Sequence, residues 1–105
     1  MIAEWLAVVL LSAKGYRLVG RRVKTHVGEI DLVVSRGRRL AFIEVKWRPT
    51  LEAAQSSIGG AQRRRIRRAA DNWLARNRRF ASHDISFDVV LVMPWKLPQH
   101  IVGGL

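Results

Sequence analysis

Two apolar runs, Ile30 to Ser35 and Leu40 to Trp47, stand on either side of Arg36-Gly37-Arg38, and this pair constrains the fold more than any other stretch of the chain. Rich in Val, Ile and Phe and separated by a glycine turn, they read as adjacent strands of a hairpin. Charge interrupts both. Asp31 follows Gly28-Glu29-Ile30, while Glu44 and Lys46 flank Val45 in Phe42-Ile43-Glu44-Val45-Lys46. Side chains alternate across a strand, so Glu44 and Lys46 share one face and Ile43 and Val45 the other. Paired as a hairpin, the strands allow Asp31 to join Glu44 and Lys46.

The rest of the chain supplies partners for this hairpin. Ile2 to Lys14 reads as a helix apolar nearly all round, expected to be largely buried and stopped by Gly15. Tyr16 to Thr25 reads as a strand in which Gly20 marks a bulge. Arg48 to Ser57 has no clear period and is expected to be a loop, mobile in character. A second helix begins between Ser57 and Gln62 and runs to about Asn77, with Ile66, Ala69, Ala70, Trp73 and Leu74 as its buried stripe. Ile85 to Met93 is a further strand closed by Pro94, and the tail from Trp95 to Leu105 is expected to be irregular. The result is a single α/β domain of order αβββαβ, a mixed sheet flanked by helices. Trp5 and Trp73 read as core residues, whereas Trp47 is placed to stack on bases.

Nineteen Lys and Arg face eight Asp and Glu in 105 residues, a formal charge of +11. That balance implies an anionic partner, most simply nucleic acid. Eight arginines lie between Arg63 and Arg79. Arg63, Arg64, Arg67 and Arg68 on the second helix are expected to contact phosphates, which positions a duplex without reading its sequence. Gln62, at the start of that helix, is a candidate contact to substrate or site. Absence of cysteine excludes disulfides, thiolate zinc sites and a cysteine nucleophile. His26, His83 and His100 lack metal-ligand spacing. The apolar run Trp5 to Leu11 is too short to span a bilayer, so a cytoplasmic protein without membrane association is expected.

Acids are scarce, and Glu29, Asp31, Glu44 and Asp88 fall in or beside apolar strands, where an unpaired carboxylate is costly. Asp31 and Glu44 are suited to hold Mg²⁺ or Mn²⁺, hard cations that prefer oxygen, with the Val45 carbonyl as a further ligand. Such an ion activates a bound water and neutralises charge on a phosphate under attack. Lys46 beside the carboxylates can position the water or stabilise the transition state. Glu29 is either an accessory ligand or, more simply, an arginine's ion-pair partner. Asp88 is expected to accept hydrogen bonds within the sheet, and Glu4 is either a first-turn helix acid or a site member.

Asp31 and Glu44-Val45-Lys46 resemble the motif of the PD-(D/E)xK nuclease superfamily. The wider pattern is similar to the YraN family of small bacterial predicted endonucleases, themselves similar to Holliday-junction resolvases. It runs from Ala3-Glu4-Trp5-Leu6-Ala7 and Lys14-Gly15-Tyr16 through Val27 to Leu32 and Phe42 to Lys46, then Gln62 to Ile66 and Phe87 to Val90. The resemblance implies a restriction-endonuclease-like core and an endonuclease acting on DNA, including branched repair or recombination intermediates, and a homodimer for paired cleavage. It also implies that Glu4 joins the metal site. A nucleic-acid-binding module with the same fold and no cleavage is the alternative. Ile101 to Leu105 departs from the aromatic and basic ending that the resemblance leads one to expect.

Overall fold

A computed structural model describes residues 2–50 and 60–105. Helix α1 (Ile2–Ala13) is followed by Gly15 at φ 90°, with the amide of Tyr16 donating to the Leu11 carbonyl and that of Gly15 to Ser12. This is a Schellman ending, which needs a left-handed residue that glycine adopts without steric cost. The turn delivers the chain into β1 (Arg17–Thr25), β2 (Gly28–Arg36) and β3 (Arg39–Trp47), an antiparallel meander. The expected irregularity in the first strand is present, a register shift between Leu18 and Gly20.

Parallel neighbours cannot be joined by a tight turn, and the crossover from β3 to its parallel partner β4 (Asp84–Val92) carries α2 (Gly60–Arg76) and a 3₁₀ turn over Arg78–Phe80. The order is αβββαβ, as expected. The expected loop from Arg48 has its first residues, Arg48 to Thr50, outside regular structure. The remainder, 51–57, lies outside the described residues, as do 58 and 59 in the interval expected to start α2.

The helices take opposite faces of the sheet. Ala3, Ala7 and Leu11 of α1 pack with Leu32, Val34, Ala41, Ile43, Val90 and Val92. Ala69, Ala70 and Trp73 of α2 pack with Ile30, Val33, Leu40 and Phe42. Phe42 stacks on Phe87 at 5.6 Å and meets Trp73 edge-on at 5.8 Å, and Trp73 in turn lies 5.4 Å from Phe80. Each aromatic pair contributes about 0.5–1.5 kcal/mol beyond area burial, so this row fixes how α2 sits on the sheet.

Helix α1 is not largely buried, contrary to expectation. Ala3, Glu4, Ala7 and Leu11 face the sheet, but Ile2, Trp5, Leu6 and Val9 are exposed. A helix laid on one sheet face buries only the stripe that touches it, however apolar its remainder. Trp5, expected in the core, is 49% exposed and has the Arg21 guanidinium 4.7 Å from its ring.

The C-terminal segment is also more ordered than expected. It forms β5 (Gln99–Ile101), antiparallel to β4 on the sheet edge. A buried polar knot holds it there. Asp88, fully buried, accepts hydrogen bonds from Ser86 Oγ, from the Gly103 amide at 3.0 Å and from His100 Nε2 at 2.7 Å. Leu105 closes the edge by packing with Ile66, Val89 and Leu91. The expectation that Asp88 accepts hydrogen bonds within the sheet is met.

Candidate active site

Asp31 and Glu44 come together where the β2–β3 ladder ends. Pairing runs from Arg36 opposite Arg39 to Leu32 opposite Ile43 and goes no further. Just beyond, Asp31 Oδ2 accepts the Val45 amide proton at 2.8 Å, a side chain standing where a strand carbonyl would otherwise be. Regular alternation breaks here too, because Ile30 joins the α2 core cluster and Leu32 the α1 cluster. The N–H and C=O of one strand residue point toward the same neighbour, so the Val45 carbonyl faces the side from which β2 has parted.

Glu44 is fixed from two directions. Its Oε1 lies 3.1 Å from Lys46 Nζ and accepts the Gln62 amide proton at 3.0 Å. The Glu44 and Lys46 side chains are 14% and 11% exposed, so each offsets the cost of burying the other. Gln62 thus contacts the site itself, reaching it from the first turn of α2. A cleft of about 390 Å³ opens over these groups, lined by Gly28, Glu29, Asp31, Glu44, Gln62, Arg65 and Ile66.

Burial raises the Asp31 carboxyl to a pKa of about 6, and the nearby charges of Glu44, Glu4 and Glu29 push the same way against the Val45 hydrogen bond. This carboxylate therefore lacks a compensating cation. Asp31 is bonded through Oδ2, Glu44 through Oε1 and Glu4 through Oε1, leaving a second oxygen on each without a hydrogen bond among the described residues. Two carboxylates with free oxygens and a carbonyl facing them are a donor set suited to Mg²⁺ or Mn²⁺, which keeps several waters and uses few protein ligands.

Glu4 stands differently. It is 6% exposed and held by Arg22 Nε at 3.1 Å and Arg21 Nη1 at 3.7 Å. Arg22 has a φ of 50°, a conformation that costs a non-glycine residue on the order of 1 kcal/mol or more. Among the described residues no group of three or more His, Asp or Glu is assembled for metal binding, so Glu4 acts on Asp31 through its charge in this arrangement. Glu29 is exposed at the cleft, and no ion pair to it is found among the described residues.

Arg63, Arg64, Arg67 and Arg68 are all exposed on α2, the helix that brings Gln62, Arg65 and Ile66 to the cleft. Arg67 lies over the Phe87 ring at 4.3 Å. Among the described residues none of the four is ion-paired to an acid, unlike Arg21 and Arg22. Sequence reasoning passed over Arg65, which lines the cleft; its position three residues after Gln62, on the same helical face, is the signal that could have found it.

Residues 3–92 match the uncharacterised protein family UPF0102. The chain belongs to this family. A UPF0102 protein of Parvibaculum lavamentivorans is 54% identical over 102 residues, covering 97% of this chain and 77% of that protein. Those of Maricaulis maris and Mesorhizobium japonicum are 52% and 46% identical over 98 residues, covering 93% of this chain and 77% and 78% of theirs. The UPF0102 match encloses Glu4, Asp31, Glu44, Lys46, Gln62 and the α2 arginines, and stops before β5. No helix among the described residues is long and apolar enough to cross a membrane.

Proposed function

We propose that this protein is a Mg²⁺- or Mn²⁺-dependent endonuclease that hydrolyses DNA phosphodiesters. The observation that carries the reading is the parting of β2 and β3 at Asp31. It sets two carboxylates, each with an oxygen unbonded among the described residues, and the Val45 carbonyl near the Lys46 ammonium, in a cleft bordered by an arginine-coated helix. The residue pattern shared with PD-(D/E)xK nucleases supports the same assignment.

Asp31, Glu44 and the Val45 carbonyl would hold the ion, which supplies a water of lowered pKa and neutralises charge on the phosphate. Gln62 and Lys46 hold Glu44 through Oε1 and keep its carboxylate in one orientation at the cleft. Lys46, tied to Glu44 at 3.1 Å, offers its remaining N–H bonds to the attacking water or to the phosphate oxygens. Glu4 raises the negative potential at Asp31, and Arg63, Arg64, Arg67 and Arg68 bind the duplex by its backbone. Branched repair or recombination intermediates are the substrates that the similarity to resolvases favours, and a homodimer would give the paired nicks they require.

The test is metal-dependent nicking that Asp31→Ala, Glu44→Ala and Lys46→Ala each abolish while the fold persists. Equal residual cleavage by all three variants would trace the activity to a contaminant and remove the assignment. A second reading, a binding module that does not cleave, rests on the exposed arginines of α2, which engage phosphates without a metal. Salt-sensitive DNA binding with no cleavage under any divalent metal would establish it.

A further inference from the structure

A second cleft of about 390 Å³ lies off the other end of α2. The first is bordered by residues of the helix's opening turns, Gln62 and Ile66; the second by Arg79, Phe80 and His83, beyond its C-terminus. A helix of 17 residues spans about 25 Å, which is the scale of their separation. The two differ in charge. Glu29, Asp31 and Glu44 line the first, whereas no carboxylate among the described residues lines the second.

Hydrogen-bond donors converge on this second cleft. Arg17 and Ser35 face one another across β1 and β2, and Arg79 adds a guanidinium held 4.7 Å over the Phe80 ring. His83 packs edge-on against Phe80 at 4.9 Å, and its Nδ1 is buried without a hydrogen-bond partner among the described residues. That nitrogen has almost no accessible surface, so the His83 ring borders the cleft as a sensor of what occupies it. Two guanidiniums and a hydroxyl, with no acid among the described residues lining the cleft, match the oxygens of a phosphate group in charge and hydrogen-bonding type.

We propose that this cleft binds a phosphate group, remote from the cleft at Asp31 and independent of metal. The phosphate has two sources of the same chemistry, free phosphate or a phosphate carried by a nucleic-acid strand. The second rests on the nuclease reading. A strand engaged there would be anchored at one end of α2 while its scissile bond lay at the other, and exposed arginines along the helix would hold the stretch between.

The experiment is an NMR titration of the histidine ring signals, without divalent metal, so its outcome is separate from that of any cleavage assay. Inorganic phosphate is expected to shift the His83 signals saturably and to leave those of His26 unmoved. Arg17→Gln and Arg79→Gln, both exposed positions that leave the core intact, should weaken the response at least tenfold, and Lys96→Gln, an exposed cation away from both clefts, should not. Parallel titrations use a short single strand with and without a 5′-phosphate. Tighter binding of the phosphorylated strand assigns a terminal phosphate, equal shifts by both strands assign the backbone, and a response to inorganic phosphate alone assigns the free ion. His83 signals that stay in place in every titration, or that respond equally in Arg17→Gln, overturn the proposal.

Discussion

Asp31 Oδ2 accepts the backbone proton of Val45 at 2.8 Å, one residue past the last paired position of the β2–β3 hairpin. A side chain thus takes over from the ladder at the point where the strands separate, and it stays partly buried as it does so. Its pKa of about 6 follows mainly from that burial and then from three neighbouring carboxylates.

Replacing Asp31 should therefore stabilise the fold while ending cleavage. The unfolded pKa is near 3.8 and the folded one near 6, so the folded chain holds an extra proton between these values. Stability is fully present below the lower value and is lost as pH rises through the upper one. Asn cannot ionise and can still accept the Val45 bond. Asp31→Asn should gain about 1–2 kcal/mol at pH 7, allowing for solvent screening of a partly open group, and little at pH 4. Urea melts of both proteins at the two pH values measure this. A gap that narrows from pH 4 to pH 7 contradicts it.

Glu4 bears on Asp31 through charge, so Glu4→Gln should lower the Asp31 pKa without removing a described contact to Asp31 itself. Carboxyl NMR titration reads the shift directly. Saturating Mg²⁺ should lower the same pKa further, since a cation favours the ionised form, and should release protons on binding near pH 6. An Asp31 titration unaffected by Mg²⁺ would argue that the ion goes elsewhere.

The αβββαβ order was legible because Ile30 to Ser35 and Leu40 to Trp47 carry their apolar pattern around an obvious turn. Ile66, Ala69, Ala70 and Trp73 likewise mark the face of α2. Asp31 and Glu44 stood out as carboxylates in an apolar setting. Their geometry was not, because alternation says nothing about where a ladder stops, and the stop at Leu32 opposite Ile43 sets the site. Trp5 was misplaced since an evenly apolar helix does not reveal which stripe its sheet will cover. Strand β5 was missed because three residues carry no periodicity, and its anchor, Asp88 to His100, joins positions 12 residues apart in sequence.

That anchor has a measurable worth. Truncating His100 leaves the Asp88 carboxylate buried without one of its donors, which costs about 2–4 kcal/mol. His100→Ala should lower the melting temperature and speed hydrogen exchange in β5 and the facing edge of β4. Glu44 and Lys46 lie two strands inward and Asp31 three, so the proposed DNA cleavage should persist in the protein that remains folded. A loss of cleavage larger than the loss of folded protein would show that β5 serves the site as well as the edge.

Charge on α2 should govern affinity independently of the chemistry. Arg63→Gln, Arg64→Gln, Arg67→Gln and Arg68→Gln should each weaken duplex binding uniformly across sequences and reduce the salt slope by about 1. Binding isotherms at several salt concentrations, taken without divalent metal, provide the slope. Sequence-dependent losses would instead indicate base contacts from the helix.

The most direct test of the account is cleavage of linear and branched DNA by the native protein and by Lys46→Ala, each with Mg²⁺, Mn²⁺ and EDTA. The native protein should nick at least one substrate with Mg²⁺ or Mn²⁺ and none with EDTA, and Lys46→Ala should bind the same DNA with cleavage reduced at least 100-fold. Cleavage that survives EDTA or the loss of Lys46, or binding without cleavage on every substrate, would contradict it.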